Sequence, residues 1–221
     1  MSAPTAETGT RPLGLRERKK QQTRQNISHT ATRLFLERGY DTVTIAEIAE
    51  AADVAKMTVT NYFPRKEDLV LDVHDVFVES LAQTVRERGA GESALAALRR
   101  AYLRAAADRD AIIAGFSGPE FARLLTGSPA LVARLREFHE ERERLLAETL
   151  AAETDAAPDD LTPRIAATLL AGLHRALFEE TLRRTVAGES DDAIAAVLTT
   201  QIATAFDLLE PALGDYAVRA S

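Results

Sequence analysis

Four polar side chains stand close together in the short segment 55–61, namely Lys56, Thr58, Thr60 and Asn61. An ammonium group, two hydroxyls and an amide can form hydrogen bonds with phosphates and with the edges of nucleobases. A buried helix of this length would carry Leu and Ile where these residues stand. The segment is therefore expected to expose a face that forms hydrogen bonds with a partner.

Two short helices are expected to position these side chains. Ile45, Ile48 and Ala49 recur at the i, i+3 and i+4 spacing of a helix that Thr44 can cap. Residues 51–54 then turn the chain, and residues 55–61 have room for a second helix of about two turns. In helix-turn-helix proteins the second helix enters the DNA major groove, where short polar side chains reach donors and acceptors.

The residues on both sides extend this pattern. Leu34, Phe35, Gly39 and Tyr40 precede the two short helices, and FPRKEDL follows them at 63–69. The full set is Leu34, Phe35, Gly39, Tyr40, Thr44, Ile45, Ile48, Ala49, Val54, Lys56, Thr58, Val59, Tyr62, Phe63, Lys66, Glu67, Asp68 and Leu69. In this order the residues resemble the DNA-binding domain of TetR-family transcriptional regulators. The resemblance covers residues 16–71.

The resemblance implies a role for each matching polar residue. Contacts with bases or the groove are implied for Lys56, Thr58 and Asn61, and contacts with phosphates for Thr44, Tyr62 and Lys66. Thr60 completes the predicted DNA-binding set, although the family most often has a tyrosine at that position. The expected partner is a double-stranded DNA operator.

Two further positions depart from the family pattern. Asp53 stands where a turn glycine is usual, and aspartate tolerates the left-handed conformation better than most residues. Ala55 stands where a Ser or Thr would cap the second helix, so that cap is either missing or supplied by Asp53.

The charge of the chain is divided unevenly. The whole sequence carries −7, but residues 1–65 hold ten Lys/Arg against seven Asp/Glu, which leaves +3. The other residues hold 17 against 27, which leaves −10. Much of the positive charge precedes or opens the first helix, in Arg11, Arg16, Arg18, Lys19, Lys20 and Arg24. This cluster is either a basic arm that follows phosphates or the minor groove, or a solvated helix start.

Composition is consistent with a cytoplasmic regulator. The chain has 221 residues, 46% of them apolar, which is enough for a substantial core. There is no cysteine, which excludes disulfides, thiol redox sensors and cysteine-based zinc sites. No apolar run resembles a signal peptide or approaches the roughly 18 residues of a membrane span. A cytoplasmic protein with no membrane partner is therefore expected.

Residues after 65 read as a succession of helices separated by Gly, Ser and Pro. A continuous helix is predicted over 66–88 and would link two domains as one rod. Further helices are predicted over 93–107, 110–116, 120–125, 128–153, 162–187 and 191–209. In 128–153, apolar residues lie near one face, and the charged run of Glu137, Glu140, Glu141, Arg142, Glu143 and Arg144 is assigned to a solvated face.

The last two predicted helices carry wide apolar faces and many alanines, which permit close helix packing. In the TetR family these helices pair with their mates in a second subunit, so the resemblance implies a homodimer. The alternative is that both faces are buried within one subunit. A two-fold dimer would suit two half-sites about one DNA turn apart.

The resemblance also implies a small-molecule effector inside the second domain, hydrophobic or amphipathic in character. The residues that could line its cavity are Tyr102, Phe116, Phe121, Phe138, His174 and Phe178. Each of these could equally be a core residue. His174 is favoured among them as a polar residue within an apolar helix, against the alternative of a hydrogen-bonded structural histidine.

Catalytic and metal-binding constellations are poor, so no catalytic residue, metal site or cofactor is predicted. A di-iron bundle needs glutamate three residues before histidine. The residues three before His29, His74, His139 and His174 are Asn26, Leu71, Arg136 and Ala171. His139 and Glu143 share a helix face, but they lie in the charged run, where a solvated face is the favoured interpretation. Phosphate loops, Gly-x-Ser-x-Gly and a cysteine nucleophile are absent from the sequence.

The sequence therefore predicts an all-α protein with an N-terminal three-helix helix-turn-helix domain and a C-terminal helical ligand-binding and dimerisation domain. The expected boundaries are a disordered arm at 1–14, the DNA-binding domain at 15–65, the effector and dimerisation domain at 66–211, and a tail at 212–221. The expected function is that of a ligand-responsive repressor that binds an inverted-repeat operator as a homodimer. The alternative is a DNA-binding architectural or partner-recruiting protein without an effector.

Overall fold

A computed structural model describes residues 14–220 of the chain. The predicted arm at 1–14 lies outside the described residues except for Gly14, as does Arg11 of the basic cluster. The described residues contain α-helices, a single 3-10 turn and no strand, which confirms the all-α prediction. The chain divides into two compact units between Val70 and Leu71.

Within residues 14–70 the N-terminal unit holds three α-helices, α1 (Leu15–Arg38), α2 (Ile45–Ala51) and α3 (Lys56–Tyr62), followed by a 3-10 turn at Glu67–Leu69. Its core comes from the apolar faces of all three helices and from the residues after α3. The principal core residues are Ile27, Ala31, Leu34, Phe35, Ile48, Val59, Phe63 and Leu69. Each helix is too short or too polar to be stable alone, so packing on this core stabilises all three.

The described part of the second unit, residues 71–220, contains six helices: α4 (His74–Arg86), α5 (Ala94–Asp108), α6 (Pro119–Gly127), α7 (Pro129–Glu153), α8 (Thr162–Val186) and α9 (Asp191–Leu213). Helix α7 packs between α4 and α8, and α9 packs on α5 and α8. Proline stands in the first turn of α6, α7 and α8, where its missing N–H group costs no hydrogen bond.

The prediction of one continuous helix over 66–88 is wrong. The 3-10 turn Glu67–Leu69 ends the N-terminal unit, and α4 begins only at His74. Leu69, Val70 and Leu71 are all buried. Three consecutive residues of a straight helix point in widely different directions, whereas a turn can bury all three.

The prediction of a helix over 110–116 is also wrong. Arg109 adopts a left-handed conformation with φ 55° and ends α5, and Gly115 has φ 78°. The Asp110 carboxylate accepts hydrogen bonds from the backbone N–H groups of Ile112 and Ile113 at 2.8 and 2.7 Å. Aspartate satisfies these backbone groups in a turn, which competes with helix formation.

The last helix runs to Leu213 and continues past Pro211, beyond its predicted end at 209. The residues after it fold back on the junction between α4 and α5. Gly91 N–H donates to the Arg219 carbonyl, and Arg219 N–H donates to the Glu92 carbonyl. The segment predicted as a simple tail is therefore part of the second unit.

Helix α9 is also long and apolar enough, by length and composition, to cross a membrane, in contrast with the expectation that no stretch approaches this limit. It is the only such helix within residues 14–220. Only 22% of the qualifying window is buried, so much of this helix faces outward in one chain.

Candidate nucleic-acid interface and effector site

Helix α2 begins with a capping box centred on Thr44. The Thr44 hydroxyl accepts the N–H of Glu47, and the Glu47 carboxylate accepts the N–H of Thr44 at 2.8 Å. Arg38 donates to the same carboxylate at 2.5 Å, and this bond, followed by those from Thr44, lowers the pKa of Glu47 to about 2. The cap predicted from the sequence is confirmed, and it fixes where α2 starts.

The turn between α2 and α3 is set by Asp53, which adopts φ 54°. The left-handed conformation expected at this glycine-like position is thus present. Ala55 occupies the N-cap position of α3, and no side chain caps that end. The sequence left two alternatives for this cap, and the structure shows that the cap is missing.

Helix α3 presents its polar residues outward because two apolar residues hold its inner side. Val59 and Phe63 are buried, with 0% and 1% of their surface exposed. Lys56, Thr60 and Asn61 are exposed, whereas Thr58 and Tyr62 are partly buried. The hydroxyl of Thr60 donates back to the Met57 carbonyl at 3.1 Å, so its hydrogen is used within the helix.

Helix α1 fixes both ends of the helix-turn-helix. Arg24 donates to the Tyr62 carbonyl at 2.9 Å and lies over the Phe63 ring, 4.5 Å from its centroid. Asn26 donates to the Ala52 carbonyl at 3.1 Å. One member of the predicted basic cluster therefore closes the C-terminal end of α3.

Lys66 is bound within the protein. Its ammonium group donates to the Tyr40 carbonyl at 2.5 Å and lies 4.3 Å from the centroid of the Tyr40 ring. Burial lowers the pKa of Lys66, although nearby acids oppose this effect. The Tyr40 hydroxyl in turn donates to Glu67 at 2.8 Å. The predicted phosphate contact at Lys66 would therefore share the ammonium group with a structural role.

Sequence reasoning missed Met57, an α3 residue whose side chain is 69% exposed. An exposed apolar side chain among polar ones suits contact with the methyl group of thymine. Its position in the second helix was the available signal. Val59 fills the inward position of this helix, and Met57, two residues earlier, lies on another side.

The predicted effector residues separate into three groups. Tyr102, Phe138, His174 and Phe178 join Phe77 in a set of contacting rings, with centroids 5.3 Å apart for Tyr102 and His174 and 6.0 Å for Phe77 and Phe138. Phe116 lies in the main hydrophobic core near Tyr102. Phe121 is on α6 and is only partly buried.

Gly115 allows the turn after α5 to approach these rings closely. Its φ of 78° favours glycine, and a Cβ atom there would lie 3.0 Å from a carbon of the Phe178 ring. A side chain at this position would force the turn or the ring to move.

The assignment of Arg142 and His139 to a solvated face is wrong. Arg142 is 0% exposed and His139 is buried. Together with the ring set they form what is here called the Arg142 cluster: Phe77, Tyr102, Phe138, His139, Arg142, His174 and Phe178. The physical reason is helical spacing, since Arg142 lies four residues from both Phe138 and Leu146 and shares their buried face.

A surface groove of about 970 Å³ runs between α7 and α8. It is lined by Leu161, Ile165 and Leu169 on one side and by charged residues such as Arg144 and Glu148 on the other. None of the six predicted effector residues borders it. No group of three or more His, Asp or Glu side chains within residues 14–220 is placed to hold a metal ion.

Two family models match the sequence. The model described as bacterial regulatory proteins, tetR family, matches residues 27–73, and the model described as MftR C-terminal domain matches residues 92–214. The HTH-type transcriptional regulator TcmR of Streptomyces glaucescens is 31% identical over 206 residues, covering 90% of this chain and 88% of TcmR.

Solved structures show the same fold. NalD of Pseudomonas aeruginosa, the secondary repressor of the MexAB-OprM multidrug efflux pump, has a TM-score of 0.53 at 21% identity, covering 85% of this chain and 97% of NalD. SmeT in complex with triclosan has a TM-score of 0.56 at 16% identity, covering 89% of this chain and 94% of SmeT.

Proposed function

Since the chain belongs to the tetR family of bacterial regulatory proteins, we propose that this DNA-binding transcriptional regulator is a repressor released from its operator by a small molecule. The observation that carries the proposal is helix α3, whose polar residues face outward while Val59 and Phe63 anchor it. Its expected place of action is the cytoplasm. DNA binding, predicted for 15–65, is proposed for the unit that ends at Val70, and effector binding and dimerisation, predicted for 66–211, for the unit that begins at Leu71.

The DNA contacts are proposed from exposure and chemistry. Lys56, Met57 and Asn61 are exposed on α3 and can reach base edges, with Asn61 suited to a bidentate contact with adenine. Thr58 and Thr60 would supply further contacts in the groove. Phosphate contacts are proposed for Thr44, Tyr62 and Lys66, and they would set the register of α3 without specifying sequence.

A homodimer is proposed through α8 and α9. On α8 the residues Ile165, Leu169, Gly172 and Ala176 form a stripe at helical spacing that is exposed or only partly buried. On α9 Leu208 is 76% exposed, and the helix is apolar although little of it is buried. A second copy packed on these faces would account for this exposed apolar surface in a regulator that recognises an inverted repeat.

The dimer is tested by Leu169→Glu and Leu208→Glu, each measured by analytical ultracentrifugation. We expect both variants to shift the protein towards the monomer and to weaken operator binding. Val76→Glu is the matched control, because Val76 is 63% exposed on α4 and outside the proposed interface. Dimers of unchanged stability in both interface variants would contradict this interface.

A small-molecule effector is proposed in the second unit, around the Arg142 cluster. Triclosan bound to SmeT indicates that this fold holds a small molecule in that protein. The second candidate function is a DNA-binding architectural or partner-recruiting protein without an effector. The mutual contacts of the rings in the Arg142 cluster favour it, since Phe178 stacks on His174 at 5.8 Å between centroids.

The first test is binding of the purified full-length protein to a genomic fragment library at moderate salt, followed by sequencing of the retained DNA. We expect enrichment of one inverted repeat whose half-sites lie about one DNA turn apart. Retention of all fragments alike, or of none, would contradict a sequence-specific dimeric regulator. Release of the enriched repeat by a small molecule would separate the effector-responsive function from the architectural alternative.

A further inference from the structure

The guanidinium of Arg142 is buried with neutral partners only. Its Nε donates to the Phe77 carbonyl at 2.7 Å, one terminal nitrogen contacts the His174 imidazole and is nearest to its Nε2, and the other donates to the Ile112 carbonyl at 3.2 Å. The group also lies 3.5 Å from the centroid of the Phe77 ring. Within residues 14–220 no carboxylate forms an ion pair with it.

The charge of Asp110 acts on this guanidinium, and one oxygen of its carboxylate, Oδ1, is bonded to the turn after α5. It accepts the N–H groups of Ile112 and Ile113 and holds the turn after α5. Burial lowers the pKa of Arg142 to about 9, so the side chain still carries its charge near neutral pH.

The other buried arginine of this unit shows how the chain neutralises such a charge when the role is structural. Arg88 is 1% exposed, and it forms an ion pair with Glu153 at 2.7 Å. It also donates to the carbonyls of Val85 and Ala217. A buried charge with no acid bonded to it is costly, so the lack of a bonded acid at Arg142 among residues 14–220 needs an explanation that Arg88 does not.

Two polar atoms without a hydrogen-bond partner belong to residues on which the charge of Arg142 acts. The Tyr102 hydroxyl and His139 Nε2 are buried without a hydrogen-bond partner. Tyr102 contacts His174 ring to ring at 5.3 Å, and His139 contacts the same ring at 5.6 Å. Such atoms are rare in folded proteins, and each is commonly explained by a missing ligand or water.

The protonation of these groups suits the binding of one anion. Burial, followed by the charge of Arg142, lowers the pKa of His139 to about 3 and that of His174 well below its ordinary value. Burial raises the pKa of Tyr102, which keeps the hydroxyl as a donor. The cluster therefore presents one cation and neutral side chains that can donate.

We propose that the effector of this regulator is an organic acid whose ionised carboxylate pairs with Arg142, with Tyr102 and His139 as further donors and the rings of Phe77 and Phe178 against its apolar body. The proposal rests on the proposed function as a ligand-responsive regulator. A carboxylate matches the planar guanidinium and can accept two of its N–H groups, which makes this pair stronger than bonds to neutral acceptors.

This pairing would also act on α4 and on the turn after α5. The guanidinium now holds the Phe77 carbonyl of α4 and the Ile112 carbonyl of the turn. A carboxylate would compete with both carbonyls for the same N–H groups. Binding of the acid is therefore coupled to the position of α4, the first helix of the second unit.

The test uses full-length protein and probes that differ only in their head group. Benzoic acid, 2-naphthoic acid and decanoic acid are each compared with the corresponding primary amide and primary amine, by thermal shift and by isothermal titration calorimetry. We expect at least one acid to raise Tm and to bind more tightly than its amide and amine. A panel in which no acid is preferred over its neutral counterpart overturns the proposal.

Variants identify the residue responsible. Arg142→Met is expected to weaken binding of the preferred acid by about 10- to 100-fold, the loss expected for hydrogen bonds between charged groups. Arg142→Lys keeps the positive charge but lacks the planar guanidinium, so it should retain part of the preference for the acid over its amide and amine. This variant replaces Arg142→Met in the test if Arg142→Met does not fold. Arg136→Met is the control, an exposed arginine on the same helix. Acid binding that survives both Arg142 variants unchanged overturns the proposal.

Operator binding by the ligand-free protein is measured in parallel, which keeps two failures apart. If the wild-type protein shows no specific DNA binding, the proposed function is contradicted, whichever small-molecule probes bind. Specific DNA binding that is released by amides or amines but not by acids would leave the regulator intact and overturn the carboxylate site alone.

Discussion

The two units of this protein place their polar side chains in opposite environments. In residues 14–70 most side chains proposed to contact DNA stand on the short helix α3, close together in sequence, and Lys56, Thr60 and Asn61 among them are exposed. In residues 71–220 the unusual polar groups are buried and come from different helices, with Tyr102 on α5, Arg142 on α7 and His174 on α8. The polar groups of the N-terminal unit are available to a partner at the surface, and those of the second unit are packed in its interior.

The difference has an energetic cause. Exposed polar side chains are solvated whether or not DNA is bound, so their replacement costs little stability. A buried polar group has lost its water and must form hydrogen bonds with its neighbours. Its replacement therefore lowers stability more when it leaves more buried donors, acceptors or charges without a partner. Substitutions in the two units should therefore separate DNA recognition from folding.

The largest expected effect distinguishes the two buried arginines. Arg88→Met should lower the free energy of unfolding by about 3 kcal/mol or more, because Glu153 and two backbone carbonyls lose their buried partner. Arg142→Met should cost less, since it removes a charge without abandoning a carboxylate. Urea denaturation of the two variants measures both values, and equal losses would contradict the distinction.

Substitution of Asn61 should change DNA recognition without changing the stability of the protein. Asn61→Ala is expected to reduce the preference for operator over random DNA by about 1–3 kcal/mol and to leave Tm unchanged. Asn26→Ala is the comparison, because that amide holds the Ala52 carbonyl and should affect folding instead. Competition binding with both DNA types gives the measurement, and equal weakening on all sequences would remove Asn61 from the base-reading set.

The cap of α2 should show a smaller effect on folding in the DNA-binding unit. Thr44→Ala removes the acceptor for Glu47 N–H and is expected to cost about 1 kcal/mol of stability. Thr44→Ser keeps the cap and should restore most of this loss, as measured by thermal unfolding. An unaffected Thr44→Ala protein would mean that the capping box does not stabilise α2.

Lys66 tests whether one side chain serves both folding and DNA binding. Lys66→Ala is expected to weaken binding to all sequences equally and to reduce the slope of log affinity against log salt by about one. An unchanged slope would restrict Lys66 to its bond with the Tyr40 carbonyl. Titrations at several salt concentrations supply the slope.

The smallest effect concerns pH and His74. Burial alone would lower the pKa of His74, but its bonds with Asp75 and Glu141 outweigh this and raise it. A raised pKa stabilises the fold below about pH 6.5, the ordinary value, and this contribution is lost as pH rises through the folded value. His74→Gln should remove that dependence. The pair with Glu141 is partly exposed and the one with Asp75 is at the surface, so the effect should stay under about 1 kcal/mol.

Much of the fold follows from local patterns. Helix starts at Pro119, Pro129 and Thr162 lie close to the predicted positions, because proline and the residues before it act on the local backbone. The wrong helix at 110–116 has a local cause that apolar spacing hides, since the Asp110 carboxylate satisfies two backbone amides in a turn. The break after Leu69 has no comparable signal, because it depends on burying three consecutive residues.

The sequence by itself determined the family, the helix-turn-helix, the Thr44 cap and the left-handed turn at Asp53. These depend on neighbouring residues, so spacing and residue type carry the information. Only the tertiary structure decided that Arg142 is buried beside Tyr102 and His174, since a charged run in sequence does not show which of its members faces the core. Distant helices meet through packing, and the chemistry of a buried site is set by the groups that packing brings together.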